Sequence, residues 1–600
     1  MIIILQMKGF GDLYKFEKKK NKKIRLSNEQ IIIQAINLHV QGNIRAAKKC
    51  YAQLISQGCN DQRVFSNYGV ILLGLGKLKD AEISIRKAIK LNPCYPEANN
   101  NLGIILKELG KLKDAEISIR KAIELNPSYA EAHNNLGCIL KELGKLKDAE
   151  LSTRKAIELN PSYAEACNNL GCILKDLGKL KDAELFTRKA IELNPSYAEA
   201  HNNLGIILKE LGKLKDAELS TRKAIELNSY YAESHNNLGF ILKDLGKLKD
   251  AELSTRKAIE LNPNFANAYY SLSLLKYSDE NKTFRNQLFS ESILNKNLPK
   301  DQINIYFARS NYLHKEKNYE ESSKYLQLAN NLKRNLTQYD SDTVINKSSK
   351  LLIESDKKNI DKKEQKRYSE SIFIVGMPRS GSTLLESILS MSNEVYDLGE
   401  IHILEESFLE YKKSSKDINL ADLYQEKVNN KTTLNITTNK YLYNYQYAGI
   451  IASQIPNAKI IHCFRHPLDN ILSIYRAHFA KGNEYSSSLV DCTRVYLDQE
   501  EIMSKYKKRF RSKIYDLNYD LLVSNTNQEI KSLISWLGWK WQDSFLSPEL
   551  NTRSVSTASN VQVRSPINSK SIGGWKNYKE MLKPAIEILT QTDKYQGINL

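Results

Sequence analysis

The sequence lacks any apolar run of the roughly 18–20 residues that a bilayer-spanning helix needs. Its N-terminal apolar stretch, Met1–Leu5, is shorter than the core of a secretion signal, which has about 7–15 residues, and no basic segment precedes it. Met7 is an alternative start. These absences predict a protein without a membrane span, and the cytoplasm is the default compartment.

Cysteines at metal-binding spacing are also missing, because none of the eight cysteines forms a C-x-x-C pair. Cys138 and Cys172 lie 34 residues apart, which is the period of a repeat described below, so we expect small core side chains there. The sequence therefore predicts neither a disulfide framework nor a zinc site, and no cluster of His, Asp or Glu indicates another metal.

The sequence is long and carries a large positive charge. Its 600 residues are too many for one core and predict several domains. A formal net charge of +19 suits an anionic ligand, a nucleic acid or an acidic partner, although repeats and linkers rich in lysine explain it equally well. We expect no nucleic-acid partner, and a homodimer stays open.

Phrases recur every 34 residues over about 66–269. Within one unit, Leu102, Ile105 and Leu106 share a helix face, Gly110 ends that helix, and Pro127 follows a second helix. The phrase N-N-L-G recurs at Gly103, Gly137, Gly171, Gly205 and Gly239. This pattern resembles the tetratricopeptide (TPR) family, which implies an all-α superhelix whose groove holds a partner.

An asparagine recurs at one fixed position of every unit. If it lines the inner helices, its amide could grip an extended polypeptide, as the similar repeat array of O-GlcNAc transferases does. The alternative is that these residues stabilise turns or persist from recent duplication. The predicted partner-binding residues are Asn67, Asn101, Asn135, Asn169, Asn203 and Asn237.

At residue 372 the pattern changes to a buried strand, Ile372–Val375, then the loop G-M-P-R-S-G-S-T, then apolar residues at helical spacing. Strand, glycine-containing loop and helix present backbone N–H groups to a phosphate. Ser382 stands where a Walker A loop has lysine, which argues against an ordinary ATPase or kinase. Arg379 lies inside the loop instead.

A second strand, Lys459–Phe464, runs into Arg465-His466-Pro467-Leu468-Asp469, with Ser473 eight residues after the arginine. Arg465 and Ser473 can converge on one phosphate; a surface salt bridge is the alternative for Arg465. With the loop, this R-x-P-x-D-x-x-x-S pattern resembles the sulfotransferase superfamily, nearest to the protein-tyrosine sulfotransferases and bacterial TPR–sulfotransferase fusions. The resemblance implies an α/β P-loop-like domain with a central parallel sheet.

The resemblance implies 3′-phosphoadenosine-5′-phosphosulfate (PAPS) as the sulfate donor, without a metal. It implies Glu400 as general base on the acceptor hydroxyl, and Arg379 and Lys440 as groups that stabilise the transferred sulfuryl group. Glu400 as a helix cap and Lys440 as an exposed lysine are the alternatives. The implied donor-binding residues are Pro378, Arg379, Ser380, Gly381, Ser382, Thr383, Arg465, Ser473, Tyr519 and Ser559.

Three positions depart from the family pattern. Tyr441 replaces a proline that often follows the catalytic lysine. Ala477 stands where the tyrosylprotein enzymes add a helix arginine, although Arg476 is adjacent, and Gly574 replaces a lysine before Trp575. These departures affect the predicted acceptor and some donor contacts, but not the reaction class.

The predicted domains are an N-terminal tail (1–30), the TPR array (31–269), a divergent helical connector (270–345), a charged linker (346–369) and the sulfotransferase domain (370–600). The predicted acceptor is a protein tyrosine or another polypeptide hydroxyl presented by the TPR groove. Two alternatives are a polysaccharide or small-molecule acceptor, and a TPR scaffold with a decayed transferase domain. A nucleotide kinase is a weaker third alternative, because the Walker lysine is missing.

Overall fold

The computed structural model describes residues 27–275, 282–337, 341–356, 368–414, 418–479, 482–551 and 562–598. The chain divides into two compact units, one ending at Ser229 and the other beginning at Tyr230.

The first unit is built of antiparallel helix pairs. Its helices are α1 (Asn28–Val40), α2 (Ile44–Ser56), α3 (Gln62–Gly74), α4 (Leu78–Leu91), α5 (Pro96–Glu108), α6 (Leu112–Leu125), α7 (Ala130–Glu142), α8 (Leu146–Leu159), α9 (Ala164–Asp176), α10 (Leu180–Leu193), α11 (Ala198–Glu210) and α12 (Leu214–Leu227). The repeated glycine allows the two helices of a pair to cross closely, because a Cβ on Gly103 would lie 2.4 Å from Cδ1 of Ile119. The predicted all-helical repeat array is confirmed.

The second unit begins with more helices. They are α13 (Ala232–Asp244), α14 (Leu248–Leu261), α15 (Ala266–Leu274), α16 (Lys282–Leu288), α17 (Glu291–Asn295), α18 (Pro299–Lys315), α19 (Tyr319–Leu336) and α20 (Asp342–Asp356). Helices α18 and α19 form a repeat-like pair, and Lys317 in their short connection has φ of 61°.

Within the described residues, a five-stranded parallel sheet follows in the order β2-β3-β1-β4-β5. Its strands are β1 (Glu370–Gly376), β2 (Val395–Asp397), β3 (Ile436–Asn439), β4 (Ala458–Phe464) and β5 (Ile514–Asn518). The helices around it are α21 (Ser382–Leu389), α22 (Ile403–Lys413), α23 (Leu420–Asn429), α24 (Ala448–Gln454), α25 (Pro467–Tyr475), α26 (Leu489–Arg509), α27 (Tyr519–Ser524), α28 (Thr526–Leu537) and α29 (Lys583–Thr590).

Both faces of this sheet are covered, as the uninterrupted apolar run of β1 predicts. Phe373 and Val375 pack in one hydrophobic cluster, whereas Ile372 and Ile374 point to the opposite face and pack in another. The predicted α/β domain with a central parallel sheet is therefore confirmed.

Residues 346–356, which the sequence analysis assigned to the charged linker, belong to α20. Leu351 is buried in the same cluster as Phe373, because one apolar face of α20 packs on the sheet domain despite its charged neighbours. The rest of the linker, 357–367, lies outside the described residues.

Candidate active site

The predicted site residues follow the carboxyl ends of the parallel strands, which meet at one edge of the sheet. The loop 377–381 follows β1, Lys440 follows β3, Arg465 follows β4 and Tyr519 follows β5. Because β1 lies between β3 and β4, strands that are far apart in the chain bring these segments together.

The loop after β1 has a fixed and strained backbone. Arg379 has φ of 66°, in the left-handed region that non-glycine residues rarely adopt. Asn470 holds the loop by donating from Nδ2 to the carbonyl oxygen of Pro378 at 2.9 Å. Ser380 is buried, and its Oγ has no hydrogen-bond partner among the described residues. Ser382 and Thr383 begin α21, where the first N–H groups of a helix have no partner within it.

The Arg379 guanidinium joins the two motifs directly. Its Nε donates to Oγ of Ser473 at 3.2 Å, and its Nη2 donates to Oε1 of Gln562 at 3.0 Å. Burial, together with the positive charges of Arg465 and Arg476, lowers the pKa of Arg379 to about 10. Three arginines therefore surround one small region.

Arg465 is buried, with 6% of its surface exposed. Its Nη2 donates to the carbonyl oxygen of Ser571 at 2.8 Å, and its guanidinium lies over the Tyr519 ring at 4.8 Å from the centroid. Its Nε lies 3.9 Å from Oδ1 of Asp520 and has no hydrogen-bond partner among the described residues. The side chain is thus held on one side and keeps a buried donor for a ligand.

Asp469 of the second motif ties a late segment of the chain to the site. Its Oδ2 accepts from the N–H of Gly573 at 2.7 Å, and its Oδ1 accepts from the N–H of Trp575 at 2.9 Å. The Trp575 ring stacks on His466 at 5.5 Å. These contacts bring the late segment beside the second motif.

The two motifs line one cavity of about 640 Å³. Of the predicted donor-binding residues, those that line it are Arg379, Gly381, Thr383, Arg465, Ser473 and Tyr519. Among the described lining residues Asp469 is the carboxylate, whereas the lysines and arginines are Lys243, Lys315, Arg379, Arg465, Arg476 and Lys570. Such a lining favours a ligand with several negative charges.

A second group of side chains lies at the ends of β2 and β3. Nζ of Lys440 lies 2.7 Å from Oε1 of Glu400 and 3.5 Å from Oε2 of Glu386. Lys440 is fully buried, so the predicted alternative of an exposed lysine is wrong, while half of the Glu400 side chain is exposed. Backbone pairing sets this geometry, because the N–H of Lys440 donates to the carbonyl oxygen of Gly399 at 2.9 Å.

The charges of this group are coupled. Burial acts to lower the pKa of Lys440, but the neighbouring carboxylates of Glu386 and Glu400 outweigh it, and the pKa is raised. Burial raises the pKa of Glu386 to about 7. Lys440 therefore keeps its positive charge in a buried position.

Some predicted site residues do not line the cavity, and one lies outside the described residues. Lys440 and Glu400 are not among the described residues that line the cavity, and Ser559 lies outside the described residues. Sequence reasoning missed Glu386, which looks like an ordinary helix residue, and also Ser571, Lys315 and His314. For these residues only the three-dimensional arrangement provides a signal.

In the repeats, three of the predicted partner-binding asparagines already donate to the preceding repeat. Asn135 Nδ2 lies 2.9 Å from Oδ1 of Asn100, and the pairs Asn169–Asn134 and Asn203–Asn168 repeat this contact at 3.0 Å. All six predicted residues are partly buried: Asn67, Asn101, Asn135, Asn169, Asn203 and Asn237. Part of their hydrogen-bonding capacity therefore joins repeats, and their role in partner binding stays a prediction.

No helix in the described ranges is long and apolar enough to cross a bilayer. The same residues contain no group of three or more His, Cys, Asp or Glu side chains that could hold a metal ion.

With this geometry established, sequence comparison identifies the parts of the chain. Residues 371–543 match the profile of the sulfotransferase family. Residues 62–93, 85–117, 130–163, 164–197, 186–218 and 232–265 match tetratricopeptide repeat profiles. The chain carries a sulfotransferase-family domain behind tetratricopeptide repeats.

Two curated relatives are similar to parts of this chain. An uncharacterized protein of Aquifex aeolicus is 31% identical over 37% of this chain and 32% of its own length. A protein of Caenorhabditis briggsae named putative protein-tyrosine sulfotransferase is 23% identical over 35% of this chain and 81% of its own length. The match thus spans about a third of the Aquifex protein.

Solved repeat structures are similar to the helical part. YrrB, described as a TPR protein with an unusual peptide-binding site, is 25% identical over 31% of this chain and 96% of its own, with a TM-score of 0.26. A tetratricopeptide repeat protein of Parabacteroides merdae is 20% identical over 41% of this chain and 97% of its own, with a TM-score of 0.36.

Proposed function

We propose that the sulfotransferase-family domain transfers a sulfuryl group from PAPS to a hydroxyl group. The observation that carries this proposal is the direct contact between the two motifs, in which Arg379 donates to Ser473 at the wall of one cavity. Motifs predicted to hold the two ends of one donor are therefore close enough to share it.

The residues present fit PAPS as a ligand. It carries a 3′-phosphate and a 5′-phosphosulfate, and the cavity lining is dominated by lysine and arginine. A buried donor that lines the cavity, Nε of Arg465, has no hydrogen-bond partner among the described residues and suits an anionic oxygen. The loop 378–383 would hold the 5′-phosphate, and Arg465 with Ser473 would hold the 3′-phosphate. When bound, PAPS supplies an activated sulfuryl group.

Glu400 is the proposed general base. Its side chain is half exposed and reachable by an acceptor hydroxyl, while the contact with Lys440 at 2.7 Å orients it. Lys440, which follows the strand paired with β1, would supply a buried positive charge that stabilises the negative charge developing on the leaving phosphate. Arg379, in the loop after β1, would add a second positive charge from the cavity wall.

We propose a polypeptide hydroxyl, including tyrosine, as the acceptor. Two features support it: the similarity to a protein named putative protein-tyrosine sulfotransferase, and the tetratricopeptide repeats that precede the domain. The repeat groove, with its recurring asparagines, would present the acceptor.

The experiment incubates the full chain with ³⁵S-labelled PAPS and a cell extract, then separates labelled protein, polysaccharide and small molecules. Label in protein, released as tyrosine sulfate on hydrolysis, supports the whole proposal. Label confined to polysaccharide or small molecules contradicts the polypeptide acceptor alone. Calorimetry with adenosine 3′,5′-bisphosphate and with ATP tests the identity of the donor independently of the acceptor. Binding of ATP but not of the bisphosphate would contradict PAPS as donor.

A Lys440→Ala chain is the matched control for turnover. If wild type transfers label and Lys440→Ala does not, the result supports catalysis by this site. Adenosine 3′,5′-bisphosphate binding without transfer to any acceptor by wild type is the outcome expected of a scaffold with a decayed domain.

A further inference from the structure

The segment after Ser473, residues 475–479, is held by helices of the predicted connector. Asn330 Nδ2 in α19 donates to the carbonyl oxygen of Tyr475 at 3.0 Å, and Lys333 Nζ donates to that of Phe479 at 2.7 Å. The Phe307 ring of α18 stacks on His478 at 4.7 Å. Two helices outside the sulfotransferase profile thus fix a segment that lines the cavity.

A shared hydrophobic core supports these contacts. Apolar residues of the connector and of the sulfotransferase domain pack in one buried cluster, which includes Ile303, Phe307, Leu326, Leu468, Ile471 and Trp575. Because these side chains bury one another, the connector cannot move away from the domain without exposing apolar surface.

Arg476 in this segment contacts the connector through His314. Its Nη1 lies 3.0 Å from Nε2 of His314, and because a guanidinium only donates, that ring nitrogen must accept. The proton of His314 is then on Nδ1, which donates to the hydroxyl of Tyr578 at 2.8 Å. We call these hydrogen bonds the His314 chain.

The far end of the His314 chain is anchored to the backbone. Tyr578 OH lies 3.0 Å from Oγ of Ser322, and this Oγ donates to the carbonyl oxygen of Ser310 at 2.9 Å. Each donor from His314 onward therefore has an acceptor, so the direction of every hydrogen bond is set. Such a chain fixes the tautomer and the orientation of the imidazole.

Charge keeps the imidazole in its accepting form. Burial lowers the pKa of His314 to about 3, and the nearby positive charges of Arg476 and Lys315 act in the same direction. Lys315 itself donates from Nζ to the carbonyl oxygen of Ser273 at 2.6 Å. Tyr319 and Tyr578 present their rings to His314, and among the described contacts no carboxylate pairs with it. His314 is neutral throughout the physiological range.

The Arg476 guanidinium, which lies over the Tyr578 ring at 5.7 Å from the centroid, keeps one donor for a ligand. Its Nε is buried without a hydrogen-bond partner among the described residues, and the side chain lines the same cavity as Arg379 and Arg465. An arginine side chain is flexible, so one fixed acceptor at Nη1 restricts the directions in which its other donors point.

We propose that His314 is a positioning residue that holds Arg476 toward the anionic ligand of the cavity, so that the connector helices complete the donor site. The inference rests on the proposed function, because it takes the ligand to be an adenosine bisphosphate or its sulfated form. Under it, the sulfotransferase profile at 371–543 covers only part of the binding site.

A double-mutant cycle in the full chain tests this inference. The dissociation constant of adenosine 3′,5′-bisphosphate is measured by calorimetry for wild type, His314→Phe, Arg476→Ala and the double variant, at one salt concentration. Loss of a hydrogen bond to a charged group predicts about tenfold weaker binding for His314→Phe. If His314 acts through Arg476, the double variant binds no more weakly than Arg476→Ala alone.

Three outcomes contradict the inference. They are wild-type binding by His314→Phe, wild-type binding by Arg476→Ala, and losses that multiply in the double variant. Should His314→Phe fail to fold, the pair His314→Gln and His314→Asn decides. The Gln Oε1 can reach Arg476 and is expected to preserve binding, while the shorter Asn weakens it; equal loss in both folded variants overturns the role. If wild type does not bind the bisphosphate, the proposed function fails, and the inference with it.

Discussion

Lys440 and Glu386 form a buried ion pair in which Nζ lies 3.5 Å from Oε2, beside the half-exposed Glu400. Thr438 Oγ1 lies 3.5 Å from the other oxygen of Glu386. Burial acts to lower the pKa of Lys440, but the two carboxylates outweigh it and the pKa is raised. Glu386 therefore adds to the negative charge that Glu400 presents to Lys440.

The first prediction concerns the pH dependence of stability through Glu386. Burial raises the pKa of this carboxyl to about 7, so the folded chain holds a proton that the unfolded chain releases at lower pH. This contribution to the free energy of unfolding is present below the unfolded pKa and is lost as pH rises through about 7. Glu386→Gln lacks this titration.

Thermal unfolding of wild type and Glu386→Gln between pH 5 and pH 8 measures the effect. We expect the stability of the variant relative to wild type to increase with pH. The exposed Glu394→Gln is the control and should show a constant difference. A constant difference for Glu386→Gln as well would contradict the raised pKa.

The second prediction separates chemistry from binding. Lys440→Ala and Glu400→Gln should each lower kcat by about 10²–10³-fold, because each removes a group that we propose to act on the reacting atoms. The affinity for adenosine 3′,5′-bisphosphate should change little, since neither residue lines the cavity among the described residues. Steady-state transfer assays and calorimetry measure the two quantities.

Arg465→Ala is the control for binding. Arg465 lines the cavity, so its loss should chiefly weaken bisphosphate binding. Full turnover by Lys440→Ala or Glu400→Gln would remove these residues from the mechanism.

Local sequence explains why the two strand-to-helix motifs of this site were predictable. The strand Ile372–Val375 is β-branched and apolar, and the loop that follows needs glycine, so strand, loop and helix are readable from neighbouring residues. Arg465 and Ser473 lie close in the chain, and α25 brings them to one side.

The partners of Lys440 and Arg476 were not predictable, since they come from distant segments of the chain. Glu386 meets Lys440 across 54 positions of the chain and His314 meets Arg476 across 162, so only the tertiary packing of sheet and helices determines these pairs. The packing of 346–356, which was placed in the charged linker, was not predictable for a related reason: its charges are visible in the sequence, but the surface on which Leu351 packs is not.

The third prediction concerns the repeats. Asn169→Ala leaves Oδ1 of Asn134 without the donor that now lies at 3.0 Å, in a buried position between repeats. Losing this bond should reduce the free energy of unfolding of the chain by about 1 kcal/mol. Denaturant titration of the full chain measures it, with the exposed Lys181→Ala as control. An unchanged midpoint together with weaker acceptor binding would instead favour a role of Asn169 in gripping the acceptor.

The last prediction uses Gly381, which has φ of 92° and packs against the Tyr519 ring. A Cβ built on Gly381 would lie 2.3 Å from Cδ2 of Tyr519, so Gly381→Ala adds a steric clash to the backbone strain. Gly538 is the matched control, because it has φ of 73° and nothing within 4 Å of an added Cβ.

Gly538→Ala should cost about 1–2 kcal/mol from backbone strain alone and leave bisphosphate binding unchanged. Gly381→Ala should be less stable than that control and should bind bisphosphate more weakly, because Tyr519 must move from its place beside Arg465. Calorimetry and thermal unfolding of both variants give the comparison. Equal effects of the two substitutions would mean that the ring does not constrain the loop, and that Tyr519 is not fixed against the donor site.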